Sequence, residues 1–389
     1  MPALAIARRS VCAAIAAAAT LLIFGWTTLR VHYAFHDNWT AVFCTGTVFP
    51  VPPDLFSGTY RFDGLAGYDG QFYRYVAHDP FLHKGYWHHV DAPRLRYRRL
   101  LVPLAAWAFG WGERRWIDRS YIAVEMVFVA LGVYWCARLL TRRGRSPAWG
   151  LLFMLAPATL ASFDRMLVDG PLTALFAGFL LYCEEEKWGR VWVIAMLASL
   201  TRETGLFLPA ALMIDQLLRG HWRRAAEFAS SCLPALIWYG SLSGILPPDR
   251  AFTVLTFPAS ALLRRLFWVR PVALLDPSEQ VLLVVTDFLA VFGLIASLVL
   301  AAIWLLKMRR SPETFCVYFF VALTLVLATP ILIEPFAFGR PISPMLLWLT
   351  LEAISRRTWI ALTPPLLVSV GTSVGFISPL WSVVKGLLG

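Results

Sequence analysis

The residues best suited to chemistry lie in one segment, which contains Asp63, the run Tyr68–Tyr73 (YDGQFY) and Asp79-Pro80. Glycines close to Asp69 on either side allow tight turns and the close approach of a ligand. A carboxylate between such turns can act as a general base if partial burial raises its pKa towards the working pH. The alternative is an Asx turn, in which Asp69 accepts hydrogen bonds from backbone N–H groups.

A basic segment, Arg94-Leu95-Arg96-Tyr97-Arg98-Arg99, follows directly before an apolar stretch. Arginine binds phosphate oxygens through two parallel N–H groups, and a lipid phosphate lies at the depth where an apolar segment enters a membrane. This pattern predicts a phosphate site. Binding of anionic headgroups without chemistry is the alternative.

Charged residues also interrupt the apolar sequence at three short turns further along the chain. Ionisable residues at membrane depth are costly, and they generally line a functional cavity in which they pair with one another. The alternative is a set of structural ion pairs that hold short helices together. The charged residues of these turns are Asp164, Arg165 and Asp169; Arg202 and Glu203; and Glu334 and Arg340.

Composition defines the class of protein that must position these residues. Of 389 residues, 58% are hydrophobic and 15% are charged, whereas a soluble domain has roughly 25% charged residues. At about 20 residues per crossing, the chain is apolar enough for a multi-pass membrane protein. This composition excludes a soluble enzyme, a disordered scaffold and a secreted disulfide module.

The net charge of +11 resides largely in short arginine clusters between apolar runs, which is typical of cytoplasmic loops and not of a nucleic-acid surface.

The apolar pattern predicts an all-α, polytopic fold with about eleven transmembrane helices and the N-terminus in the cytoplasm. The first span, about 11–29, is read as uncleaved because it is longer than a signal-peptide core. A large extracytoplasmic loop of about 30–120 follows, with short interfacial helices. The segments 100–111 and 251–275 are expected to lie along the interface or to span. The other spans are predicted at about 121–140, 147–163, 170–183, 190–201, 205–218, 226–245, 281–306, 314–333, 341–354 and 359–377.

Histidine and cysteine patterns add no further site. The spacing of His78, His83, His88 and His89 matches no set of metal ligands, and no metal site is predicted. The six cysteines define neither a disulfide framework nor a metal site.

Together these motifs resemble the C-type superfamily of integral-membrane glycosyltransferases. They look most like bacterial membrane proteins with a "YDGQFY…DP" first loop followed by "RYRR-L-PLLA", here Tyr68–Tyr73, Asp79-Pro80 and Arg96–Ala105. The later segments Leu200–Leu206 (LTRETGL) and Phe338–Pro344 (FGRPISP) are similar to elements of the same group. A more distant likeness is to glycosylphosphatidylinositol mannosyltransferases.

The resemblance implies inverting transfer of a sugar from a polyprenyl-phosphate donor to a glycan or lipid-linked acceptor on the outer face, for cell-surface glycan assembly. It implies Asp69 as the general base, with Asp63 in reserve. No Asp-x-Asp pair is present in the first loop, so metal dependence stays open and no cofactor is predicted. The residues expected to bind substrate are Tyr68, Gln71, Tyr73, Arg98, Arg99, Asp164, Arg165, Arg202, Glu203 and Arg340.

We therefore expect one membrane-embedded glycosyltransferase domain over residues 1–389, in the inner (plasma) membrane, with an extracytoplasmic active site. A transporter or flippase for an anionic or glycan-linked lipid is the main alternative, because it would also use buried charges. Such a protein is expected to have two related halves, and the Asp69 loop has no counterpart in the second half. A catalytically inactive scaffold in a polysaccharide assembly complex is a third possibility.

Overall fold

A computed structural model describes residues 2–249, 254–268 and 277–388, and the helical fold predicted from the sequence is confirmed in these ranges. Most of the described residues are helical, and pairing between extended segments among them is limited to isolated bridges such as Thr45 with Gly67. Helices of the first half are α1 (Pro2–Phe35), α2 (Pro53–Phe56), α3 (Asp69–His78), α4 (Pro93–Arg98), α5 (Leu101–Phe109), α6 (Arg114–Arg142), α7 (Pro157–Arg165), α8 (Asp169–Glu184) and α9 (Trp188–Thr201).

The second half continues with shorter helices and two long ones. They are α10 (Phe207–Leu218), α11 (Trp222–Ser230), α12 (Leu233–Ile245), α13 (Ser260–Leu266), α14 (Pro277–Lys307), α15 (Pro312–Val326), α16 (Thr329–Leu332), α17 (Pro335–Arg356), α18 (Thr363–Ser373) and α19 (Ile377–Leu388). Short 3-10 helices at Trp39–Phe43, Tyr86–His89, Pro147–Leu155, Glu203–Leu206, Trp359–Leu362 and Val374–Phe376 connect them.

Four helical segments in the described residues are long and apolar enough to cross a membrane: Arg8–Phe35, Arg114–Arg142, Glu279–Lys307 and Trp359–Leu388. They indicate a membrane protein. The helices that occupy the other predicted spans are mostly shorter than a crossing, and α9, α12 and α15 are apolar helices of this shorter kind.

Several predicted spans are interrupted at prolines. The stretch predicted as a span over 147–163 consists of a 3-10 helix followed by α7, which begins at Pro157. The stretch 314–333 divides into α15 and α16, with Pro330 at the start of α16. Proline is favoured in the first turn of a helix but breaks the hydrogen bonding of a helix interior, so hydropathy alone overestimated the length of these helices.

Two helices, α8 and α17, form the centre of the fold. Every residue from Asp169 to Leu181 in α8 and from Pro341 to Ile354 in α17 is buried. A helix that is apolar on all sides is stable only when neighbours surround it; accordingly α8 packs on α6, α7, α9 and α17. Each of these two central helices has polar residues at its ends, which places charge at both ends of the bundle.

The predicted first loop folds into ordered short helices that dock on α6. Arg74 of α3 donates two hydrogen bonds to the Asp118 carboxylate of α6, Nε to Oδ1 at 2.9 Å and Nη2 to Oδ2 at 2.8 Å. His78 Nε2 lies 2.9 Å from the same carboxylate. The predicted interfacial stretch 100–111 largely corresponds to α5, and 251–275 contains α13, while residues 251–253 and 269–275 lie outside the described ranges.

Candidate functional site

Asp69 is the first residue of α3, and its carboxylate joins distant parts of the chain. Oδ1 lies 3.0 Å from Arg96 Nη2, and Oδ2 lies 2.9 Å from Arg340 Nη1. Arg96 is in α4 and Arg340 is in the first turns of α17. The described contacts of the carboxylate are therefore with guanidinium groups, and they differ from those of an Asx turn, in which backbone N–H groups would occupy these oxygens.

The backbone around Asp69 depends on glycine. Gly67 has a φ of +74°, a conformation that other residues adopt only with strain. A Cβ atom on Gly70 would lie 2.0 Å from the carbonyl oxygen of Arg165, so only glycine allows α3 to pack this closely on the end of α7. Gln71 supports the same turn, since its Oε1 accepts from Gly46 N–H at 3.2 Å and its Nε2 donates to the Ala66 carbonyl at 2.8 Å.

A second buried carboxylate, Asp169, lies at the start of α8 beside Asp69. Its side chain is 1% exposed, and its Oδ2 lies 3.6 Å from Arg340 Nη1. Arg202, which follows α9, forms an ion pair with the same carboxylate. Arg340 is therefore shared between two carboxylates, Asp69 and Asp169.

Tyr73 and Glu203 complete the group. The buried Tyr73 hydroxyl accepts hydrogen bonds from Arg99 Nη1 at 2.5 Å and from Arg96 Nη1 at 3.4 Å. Arg99 Nη2 also lies 3.2 Å from Glu203 Oε2. We define the Asp69 cluster as Asp69, Tyr73, Arg96, Arg99, Asp169, Arg202, Glu203 and Arg340.

The arginines of the Asp69 cluster control its ionisation. Burial raises the pKa of Asp69, but Arg96, Arg340 and Arg99 together lower it more, so its pKa lies well below the ordinary value. Burial and the positive charges of Arg99 and Arg340 lower the pKa of Arg202 to about 9. At neutral pH Arg202 stays protonated beside other guanidinium groups. An anion that entered between them would relieve this repulsion.

A second ion group lies next to the Asp69 cluster. Arg30 of α1 forms an ion pair with Asp164, whose other oxygen lies 3.2 Å from Arg165 Nε. The Arg165 guanidinium lies 4.3 Å from the centre of the Tyr68 ring, and that of Arg340 lies 4.9 Å from it. Tyr68 therefore lies within cation–π distance of two guanidiniums, one of them in the Asp69 cluster.

The Asp69 cluster thus contains half of the ten residues predicted to bind substrate: Tyr73, Arg99, Arg202, Glu203 and Arg340. Tyr68, Asp164 and Arg165 lie in or against the adjacent ion group. The other two, Arg98 and Gln71, and the predicted reserve base Asp63 lie elsewhere. Asp63 is exposed on a turn, and no ion pair is seen to it within the described residues. Arg98 lies over the Tyr239 ring at 5.4 Å, and Gln71 contacts the loop backbone as described above.

Arg96 and Asp169 are not among the site residues predicted from the sequence, although both lie in segments that contain predicted site residues. Arg96 could have been predicted from its spacing to Arg99 in α4. Residues three apart share a helix face, so Arg96 and Arg99 lie together, whereas Arg98 lies on another side. The position of Asp169 at the start of a helix could have been predicted, because acidic residues are favoured at helix N-termini.

Comparisons with protein-family models, with curated proteins and with solved structures find no match for this chain. The fold and the site therefore define the class: an α-helical protein with membrane-length apolar helices and a buried arginine–carboxylate cluster. Within the described residues, no group of three or more His, Cys, Asp or Glu side chains is arranged to hold a metal ion.

Proposed function

We propose that this protein is a membrane glycosyltransferase that transfers a sugar from a polyprenyl-phosphate donor to a glycan or lipid-linked acceptor, with inversion. The observation that carries the proposal is the pairing of the Asp69 carboxylate with arginines from two distant segments, α4 and α17. These arginines belong to the motifs on which the resemblance rests. A carboxylate next to a group of guanidiniums offers a base for a hydroxyl and a binding site for a phosphate within one cluster of side chains.

The reaction uses these groups as follows. Asp69 accepts the proton of the acceptor hydroxyl while the hydroxyl oxygen forms a bond to the anomeric carbon of the sugar. The bond from that carbon to the donor phosphate oxygen breaks, and its electron pair leaves with the polyprenyl phosphate. Arg340, Arg99 and Arg202 neutralise the charge that develops on this phosphate, as preorganised charges do in other transfer reactions.

The low pKa of Asp69 gives the donor a second role. In the substrate-free protein Asp69 is ionised but is a weak base, because Arg96 and Arg340 stabilise its charge. A donor phosphate that attracts Arg340 and its neighbours would reduce this stabilisation and raise the basicity of Asp69. The carboxylate would thus become an effective base only when the donor is bound.

The proposal includes a topology of eleven crossings in the inner membrane, with the N-terminus in the cytoplasm and the Asp69 cluster on the extracytoplasmic face. Its support is the distribution of basic residues at 138–145, 219–224, 307–310 and 356–357, which the positive-inside rule assigns to the cytoplasm. The shorter helices would cross as tilted or broken segments with buried polar residues. Asp63 would remain a reserve base, accessible from the same face.

A product assay distinguishes this function from the alternatives. The purified protein is reconstituted in vesicles with a panel of polyprenyl-phosphate sugars and glycan acceptors, and released polyprenyl phosphate and glycosylated acceptor are both measured. We expect the two products in equal amounts with at least one donor. Transbilayer movement of the intact donor without either product would instead identify a transporter, and the absence of products and of movement across the panel would favour a scaffold.

A further inference from the structure

A polar cavity lies at the opposite end of the bundle from the Asp69 cluster. It has a volume of about 340 Å³ and lies between the end of α10 and the connection from α14 to α15. The 12 residues of α10 begin next to the Asp69 cluster and span about 18 Å at 1.5 Å per residue, so the two sites are separate. The residues that line the cavity are Asp215, Leu218, Arg219, Arg309, Arg310 and Phe315.

Some charged side chains in this cavity form an ion pair, and others make no described polar contact. Asp215 is 4% exposed and pairs with Arg219 at 2.9 Å. It also accepts a hydrogen bond from Gln216 Nε2 at 2.9 Å. Arg309 and Arg310 are exposed, and the described contacts include no hydrogen bond or ion pair to either side chain.

One further acid lies nearby, since Glu313 of α15 interacts electrostatically with Asp215. The cavity and its surroundings therefore hold three arginines and two carboxylates, and the two exposed guanidiniums remain available to an anion. Each guanidinium can donate two parallel hydrogen bonds to a phosphate.

Exposed apolar side chains at this end of the bundle indicate which class of anion the cavity binds. Leu218 lines the cavity and is 63% exposed, and Leu306, in the last turn of α14, is 81% exposed. Trp222, at the start of α11, is 71% exposed. In a membrane protein, exposed apolar side chains at the ends of apolar helices face the acyl chains of the bilayer. A lipid can therefore contact these side chains and the arginines together, whereas a free phosphate can contact only the arginines.

We propose that this cavity binds the headgroup of an anionic phospholipid, with the phosphodiester held by Arg309 and Arg310. Arg219 adds positive charge on the side of α10. The acyl chains lie against Leu218 and Leu306. Basic pockets between membrane helices bind anionic headgroups in this way, and the bound lipid links α10 to the connection between α14 and α15.

The test uses the full-length protein, freed of lipid in an uncharged detergent and titrated with phosphatidylglycerol, phosphatidylcholine or inorganic phosphate. Bound lipid is counted by native mass spectrometry. We expect saturable binding of phosphatidylglycerol, weak binding of phosphatidylcholine and no displacement of the bound lipid by inorganic phosphate. The double variant Arg309→Gln/Arg310→Gln should bind phosphatidylglycerol about 25-fold more weakly, because each arginine that faces an anionic lipid headgroup contributes about a factor of five.

Arg223→Gln/Arg224→Gln is the matched control, since it removes the same charge from exposed positions on α11 that do not line the cavity. This control should keep parental affinity. The variant Arg309→Lys/Arg310→Lys should bind better than the double glutamine variant and reports on folding. An equal loss in the two glutamine variants would show diffuse attraction to the protein surface, and displacement by inorganic phosphate would show a site for free phosphate; either result would overturn the proposal.

Discussion

The two ends of the helix bundle both concentrate arginines and carboxylates, and α8 and α17 each contribute to both groups. At one end is the Asp69 cluster. At the other, Arg143 lies 2.8 Å from Glu184 at the end of α8 and 2.8 Å from Glu352 near the end of α17. We define the Arg143 cluster as Arg138, Arg142, Arg143, Glu184, Glu185, Glu352 and Arg356.

The two clusters differ in where their charged residues lie on the helices. In the Arg143 cluster the basic residues lie at the ends of α6 and α17, where positive charge complements the helix dipole, and they connect neighbouring helices. In the Asp69 cluster the carboxylates of Asp69 and Asp169 are at helix N-termini, and arginines from several segments converge on them. The Arg143 cluster has the features of a structural brace. The Asp69 cluster combines a stabilised carboxylate with closely spaced guanidiniums, and on this ground we propose that it binds an anionic donor.

The largest expected difference between the two ends is their side of the membrane. His83→Cys in the first loop and Ser146→Cys near Arg143 both place a thiol at an exposed position. In cells whose other accessible cysteines have been replaced, an impermeant maleimide should label the first from outside and the second only after the membrane is opened. Labelling of both from the same side would contradict the proposed orientation.

Removal of one arginine should slow sugar transfer only when that arginine belongs to the Asp69 cluster. Arg340→Gln removes a charge-assisted contact of about 1.5–3 kcal/mol to the donor phosphate, so kcat/KM should fall roughly ten- to a hundredfold. Arg143→Gln is the matched control at the other end. It leaves the largely buried Glu352 short of a partner and should cost about 1–3 kcal/mol of stability, seen as a lower unfolding temperature, with transfer nearly unchanged. Equal effects of the two variants on transfer would remove the distinction between the clusters.

The helical class, the first-loop helix and most of the polar positions of the site could be predicted from sequence. Apolar runs and the types of residue in the turns carry that information locally. Which arginine meets Asp69 could not be predicted, because Asp69 and Arg340 are joined only when α3 packs on the bundle beside α17. Hydropathy also could not show that prolines such as Pro157 divide apolar runs into helices shorter than a membrane crossing.

A smaller effect is expected in the pH dependence of transfer. Because the pKa of Asp69 lies well below its ordinary value of about 3.9, its carboxylate stays ionised as the pH falls from 7 to about 4. The value of kcat/KM should therefore show no loss from this group across that range. Arg340→Gln removes one cause of the low pKa, so an acid limb should move to higher pH in this variant. An acid limb at the same pH in both proteins would show that Arg340 does not control the base.

The central claim is that Asp69 is the base of a sugar transfer, and the comparison of Asp69→Asn with Asp63→Asn tests it most directly. Both substitutions remove one carboxylate from the same loop, but Asp63 is exposed and lies outside the Asp69 cluster. Under saturating polyprenyl-phosphate sugar, Asp69→Asn should insert in the membrane, bind the donor and transfer about 10²–10⁴-fold more slowly than the parent. Asp63→Asn should transfer at close to the parental rate. Near-parental transfer by a stably inserted Asp69→Asn protein would contradict the account.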